Sequence, residues 1–172
     1  MAGVLLVGYG NLSRRDDGVA YHILQRLRKR LGHPSPALED DYEEMGGSIP
    51  GDARLAMMCA HQLGPEMAEA LAQFDVVVFI DAHIASAGWE PVHWQEITPG
   101  IRASLVSHHM KPDTLLALCG ALYGHTPKGY ILSILGTDFD FGMGLSPTTA
   151  ALVDEAVDGL LELLRTKGML AK

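Results

Sequence analysis

The sequence predicts an α/β protein, a sheet covered on both faces by helices. Three observations predict it. Short apolar runs recur along the 172 residues. Several of the segments between them carry apolar residues at three- and four-residue steps, the period of a helix. Glycine and proline punctuate the junctions. Strands alternating with helices in this way build a largely parallel sheet.

Val4–Val7 is a short apolar run ahead of glycine and reads as a buried strand. From Asp17 the pattern turns helical, with Val19, Ile23, Leu24, Leu27 and Leu31 on one face. Arg26, Arg28, Lys29 and Arg30 gather at its end, where the helix dipole favours cations, and Gly32 and Pro34 stop it. Residues 33–52 carry prolines, glycines and the acidic run Glu39–Glu44, and read as a solvated loop. Arg54–Cys59 reads as a second strand. Gly64-Pro65-Glu66 opens a helix through Met67, Leu71 and Phe74, with proline in the first turn where its missing N–H costs least.

Val76–Ile80 is the strongest strand signal, an unbroken β-branched and aromatic run ending at Asp81-Ala82-His83. Glu90–Glu96 is a more polar strand, hence nearer an edge. Pro112–Tyr123 reads as a helix and Gly129–Leu135 as a strand. Ser146-Pro147 starts a last helix running through Leu152, Val157, Leu160, Leu161 and Leu164.

The length suits one domain, residues 1–172. Apolar residues make up 48% and charged residues 20%, an ordinary globular balance. A formal net charge of -8 argues against nucleic acid or an anionic membrane as partner. Cys59 and Cys119 lie far apart and write no zinc knuckle or redox pair. The first residues lack the basic region and cleavage site of a signal peptide, and no apolar run reaches the ~18 residues of a membrane span. The expectation is a cytoplasmic protein.

The first strand leads into Gly8-Tyr9-Gly10-Asn11, a short spacer, then Asp16-Asp17-Gly18. A dinucleotide fingerprint would need glycine at position 13, where serine stands. Two acids then occupy the place where a phosphate needs positive potential, so the motif suits a cation. Ligands of open α/β sheets gather beyond the carboxyl ends of the strands. Asp17, Asp81 and His108 are predicted to reach that rim from three segments. Two carboxylates and an imidazole suit a divalent first-row metal and leave coordination positions open. Asp16 and Asp17 also fit an N-cap and a first-turn acid, worth ~1 kcal/mol. Asp81 directly follows five apolar residues, where a carboxylate is costly to desolvate unless paired.

In these motifs the chain resembles the hydrogenase maturation peptidases, which clip the C-terminal extension from the large subunit of nickel–iron hydrogenases. That family opens with a strand, G-x-G-N, a spacer and D-[DE]-G, matched by Gly8–Asn11 and Asp16–Gly18. Its first metal-contacting acid lies six residues after the asparagine, here Asp17. Its second ends an apolar strand as D-A, here Asp81-Ala82. Its histidine stands two before an apolar residue at a helix entrance, which puts His108 against Met110, with His109 the adjacent alternative. Gly136–Phe139 and Gly144–Pro147 resemble its strand end and last-helix start. Two departures stand out. Ala20 replaces a frequent glycine, and Cys59-Ala60-His61-Gln62 replaces an acidic-glycine-threonine box.

The resemblance implies a three-layer α/β/α domain with a mostly parallel or mixed sheet of about five strands, phosphorylase/hydrolase-like. It implies an aspartyl-type endopeptidase that acts on a hydrogenase large-subunit precursor after nickel insertion. Nickel carried by that substrate would be bound by Asp17, Asp81 and His108, the residues also assigned to catalysis, and zinc or cadmium would act as surrogates. No organic cofactor is expected, and the protein is expected to be a monomer. His61 is a candidate additional ligand. Gly10, Asn11, Asp16 and Gly18 would support the turn, with Asp16 as the helix cap that aims Asp17. Two rivals remain at this stage. One is a non-catalytic nickel-site assembly chaperone on the same fold. The other is a small-molecule hydrolase or nucleotide-binding α/β protein.

Overall fold

The computed structural model describes residues 3–33, 47–49, 52–101 and 110–170. Its centre is a six-stranded sheet formed by β1 (Val4–Tyr9), β2 (Gly47–Ile49), β3 (Asp52–Ala60), β4 (Val76–His83), β5 (Val92–Ile97) and β6 (Lys128–Leu135). Their order across the sheet is β2-β3-β1-β4-β6-β5. The inner four strands are parallel, and β2 and β5 run antiparallel at the two edges. The sheet is therefore mixed, with one strand more than the sequence suggests. The extra strand, β2, falls in the stretch read as a loop. It is three residues long, and its strand character comes from pairing with β3.

The side chains of β1 alternate between two cores, as strand geometry requires. Leu6 joins Met57, Val78, Ile80, Leu132 and Ile134 against α1 (Val19–Arg30) and α5 (Val153–Thr166). Leu5 and Val7 join Ala56, Val77 and Phe79 against α2 (Ala68–Leu71) and α3 (Pro112–Tyr123). Both faces are covered, as the apolar runs imply.

Other boundaries shift by a few residues. The helix predicted through Phe74 is a 3₁₀ turn, Pro65–Met67, followed by the four residues of α2. Phe74 lies beyond it. The last helix divides into α4 (Pro147–Ala150) and α5. Ser146 caps α4 by accepting a hydrogen bond from the Thr149 amide at 3.3 Å. β4 continues through Asp81 to His83, so Asp81 lies within the strand and not after it. Among the described residues no helix is long and apolar enough to cross a membrane.

Candidate functional site

At the carboxyl end of β1 the chain makes a turn that only glycine allows at position 10. Gly10 has φ +140°, and a Cβ there would stand 2.0 Å from the Asp17 carbonyl oxygen. The turn folds back on the 3₁₀ segment Arg15–Gly18. The Asn11 amide donates to Asp17 Oδ2 at 2.7 Å, and Asn11 Oδ1 accepts from the Ser13 amide at 2.9 Å. Gly18 sits against the Leu12 backbone, where a Cβ would meet Cα at 2.9 Å. Gly10, Gly18 and Asn11 thus serve the turn.

Asp17 and Asp81 line one cavity of about 250 Å³, together with Tyr9, His61, Gln62 and Met110. Asp81 is in phase with Val77 and Phe79 on β4 and pairs in register with Ser133 of β6. The Tyr9 hydroxyl donates to Asp81 Oδ2 at 2.9 Å. Asp81 Oδ1 is buried and has no hydrogen-bond partner among the described residues. Burial pushes the Asp81 pKa up to about 6; the Ser133 and Tyr9 hydroxyls pull it back, and the charge of Asp17 raises it further. Tyr9 is raised far above the ordinary phenol range by burial first and then by the Asp81 charge, so it stays a donor. A cation in this cavity would answer both the unpartnered oxygen and the mutual repulsion of the two acids.

A second histidine lies beyond Asp81 on the same face. His83 Nδ1 lies 2.9 Å from Ser133 Oγ, its Nε2 is buried without a partner, and its ring meets Trp89 edge-on at 5.4 Å. Burial lowers its pKa, the His93 charge lowers it further, and a Glu90 backbone hydrogen bond partly opposes both.

His108 and His109 lie outside the described residues, so of the proposed trio the structure brings together two members. Among the described residues no group of three or more His, Cys, Asp or Glu side chains is placed to hold a metal ion. His61 lines the same cavity as the two acids.

The comparisons with known proteins agree with this fold. No protein-family model matches the chain. It is 25% identical to the hydrogenase 2 maturation protease of Escherichia coli (strain K12), over 96% of this chain and 93% of that protein. Over nearly its whole length the chain is similar to a hydrogenase maturation peptidase. Solved structures of maturation peptidases share its fold. The hydrogenase maturating endopeptidase HybD from E. coli superposes with a TM-score of 0.65 at 20% identity, covering 96% of this chain and 94% of that one. The NiFe hydrogenase maturation protease HybD from Thermococcus kodakarensis gives 0.61 at 21% identity, covering 94% and 98%.

In this chain Asp16 has a role other than the expected one. It does not cap α1, whose N-cap position is Gly18 with no side-chain hydrogen bond. It is fully buried and faces the segment after β6 instead. Its Oδ2 accepts from the amides of Thr137 (2.8 Å) and Asp138 (2.9 Å) and from the hydroxyls of Ser146 (2.7 Å) and Thr149 (2.9 Å), while Oδ1 accepts from the Ser146 amide (2.8 Å). Burial alone would raise its pKa, but the hydrogen bonds from Thr137, Ser146 and Asp138 outweigh it and hold the carboxyl at about 2. Asp16 still supports the turn, by fastening it to residues 137–149.

The sequence reading passed over Tyr9 and Ser133. Tyr9 stands inside the glycine motif itself. Ser133 is a polar residue within the apolar stretch of β6 and comes level with Asp81 once the strands are aligned. A lone polar residue in a buried strand was the available signal.

Proposed function

We propose that this peptidase removes the C-terminal extension of a nickel–iron hydrogenase large-subunit precursor after nickel insertion. Nickel held in that substrate would be contacted by Asp17, Asp81 and His108, with His109 or His61 as alternative imidazoles. The observation that carries the reading is Asp81, whose buried Oδ1 lacks a partner among the described residues, in the wall of a cavity it shares with Asp17. Such a carboxylate is a stability cost unless a cation or proton answers it. Met110 lines the same cavity and follows His108 and His109 directly in sequence.

The ion supplies Lewis acidity toward a peptide carbonyl or a bound water. The chain's own part is to hold two acids in a fixed turn and strand, with Tyr9 fixing the Asp81 oxygen that faces it. A metal-free precursor would leave these acids without their cation, so the cut would report completed nickel insertion. The reading carries with it a cytoplasmic, monomeric enzyme of the aspartyl type, with no organic cofactor.

Mass measurement of a nickel-loaded precursor before and after incubation tests the proposal. The expected result is loss of a C-terminal peptide, absent with nickel-free precursor and absent with Asp81→Asn. A nickel-loaded precursor left intact by the wild-type protein would overturn it.

A further inference from the structure

We infer that Phe141 is the anchor through which this peptidase docks the folded body of its protein substrate. The inference rests on the proposed function for the identity of the partner. Phe141 is 81% exposed, the most exposed of the large apolar side chains described, and Met143 beside it is 57% exposed. An aromatic ring so exposed on a slack loop would carry little meaning, because scattered surface apolar residues are normal. This ring is held in place.

Arg14 provides much of the support. Its Nε donates to the Phe139 carbonyl at 3.1 Å, and its guanidinium lies 5.1 Å from the centre of the Phe141 ring. The backbone is tied on both sides of the ring: the Arg15 amide donates to the Gly142 carbonyl at 3.1 Å, and the Gly142 amide donates to the Ser13 carbonyl at 2.9 Å. The bonds to Asp16 fasten Thr137, Asp138 and Ser146 to the same turn. The loop bearing Phe141 and the loop bearing Asp17 are therefore one rigid body. Asp17 faces the cavity, and Phe141 stands in solvent.

A pre-organised aromatic residue with an arginine over it is the composition of an interface anchor, because little side-chain freedom is left to lose on binding. The partner is a protein that presents an apolar socket next to the segment it feeds toward Asp17. Arg14 lies three residues before Asp17 and is bonded to the Phe139 carbonyl, so the ring is mounted on the same turn that carries the cavity acid, where a protein feeding a segment toward Asp17 could be met. The formal charge of -8 disfavours an anionic membrane as the occupant.

The test compares wild type, Phe141→Ser and Phe141→Trp in processing of nickel-loaded precursor and in direct binding of that precursor by titration calorimetry. Phe141→Ser is expected to weaken precursor binding and raise KM about tenfold, with kcat and melting temperature unchanged, and Phe141→Trp to restore both. Wild-type KM and binding in Phe141→Ser would overturn the inference. So would a fall in kcat accompanied by a lowered melting temperature, or a change confined to self-association in sedimentation. Binding of the precursor by wild type without cleavage would sink the proposed activity alone; absence of both binding and cleavage would sink both.

Discussion

Asp16 and Asp81 both bring carboxylate oxygens out of water, and the protein treats them in opposite ways. Asp16 is met by three backbone amides and three hydroxyls, and its pKa falls to about 2. Asp81 is met by the Tyr9 phenol at 2.9 Å and eased by the Ser133 hydroxyl, keeps Oδ1 without a partner among the described residues, and its pKa rises to about 6. The first is a fastening and the second belongs to the candidate site. What separates them is the number of donors built around each, since burial alone would push both upward. A carboxylate left short of donors inside a protein is a stability cost, and such costs concentrate where ligands bind.

The comparison breaks most easily at Asp16. Asp16→Ala leaves the amides of Thr137, Asp138 and Ser146 without their acceptor, and should destabilise the fold by about 3–4 kcal/mol in urea denaturation. The same residue sets an acid limit. Its pKa is lower folded than unfolded, so its contribution, about 2 kcal/mol, is fully present above about pH 4 and is lost as pH falls toward 2. A stability profile of Asp16→Asn should lack this acid limb.

Asp81 should behave in reverse. Its pKa is higher folded than unfolded, so stability is full below about pH 4 and is lost as pH rises through about 6. Asp81→Asn keeps an acceptor for Tyr9 and removes the charge. It should stabilise the protein at pH 7 by about 2–3 kcal/mol, a rise of roughly 4–10 °C in melting temperature, and abolish processing. The gain should vanish near pH 4. A variant equally stable at both pH values would remove the contrast between the two acids. The smallest effect is expected from Tyr9→Phe. Losing the phenol should raise the Asp81 pKa above 6 in an NMR titration and cost about 1 kcal/mol at neutral pH.

Much of the architecture was legible in the sequence, and the reasons are local. Helix α3 matches its prediction at both ends because Pro112 opens it and Gly124, at φ +73°, closes it. The edge position of β5 followed from its polar residues. β2 was not legible, because three residues carry no period and become a strand only through their partner. Asp81 was read as following its strand because polarity suggested an end, yet backbone pairing with Ser133 continues regardless of side chain. Asp16 and Asp17 are adjacent acids in one turn, and no local rule says which faces inward. That choice is made by Thr137, Asp138, Ser146 and Thr149, which no spacing argument ties to position 16.

Those four partners have a consequence for the order of events during synthesis. They lie 121 to 133 residues after Asp16. The turn that carries Asp17 leaves the ribosome first, and its buried neighbour lacks these donors until the region around Thr149 has followed it. Contacts so distant along the chain form late. A nascent copy stopped short of Ser146 would own both acids of the cavity and still lack the buttress beneath one of them. The support beneath the Asp17 turn therefore arrives only with the segment around Ser146 and Thr149, long after the turn itself.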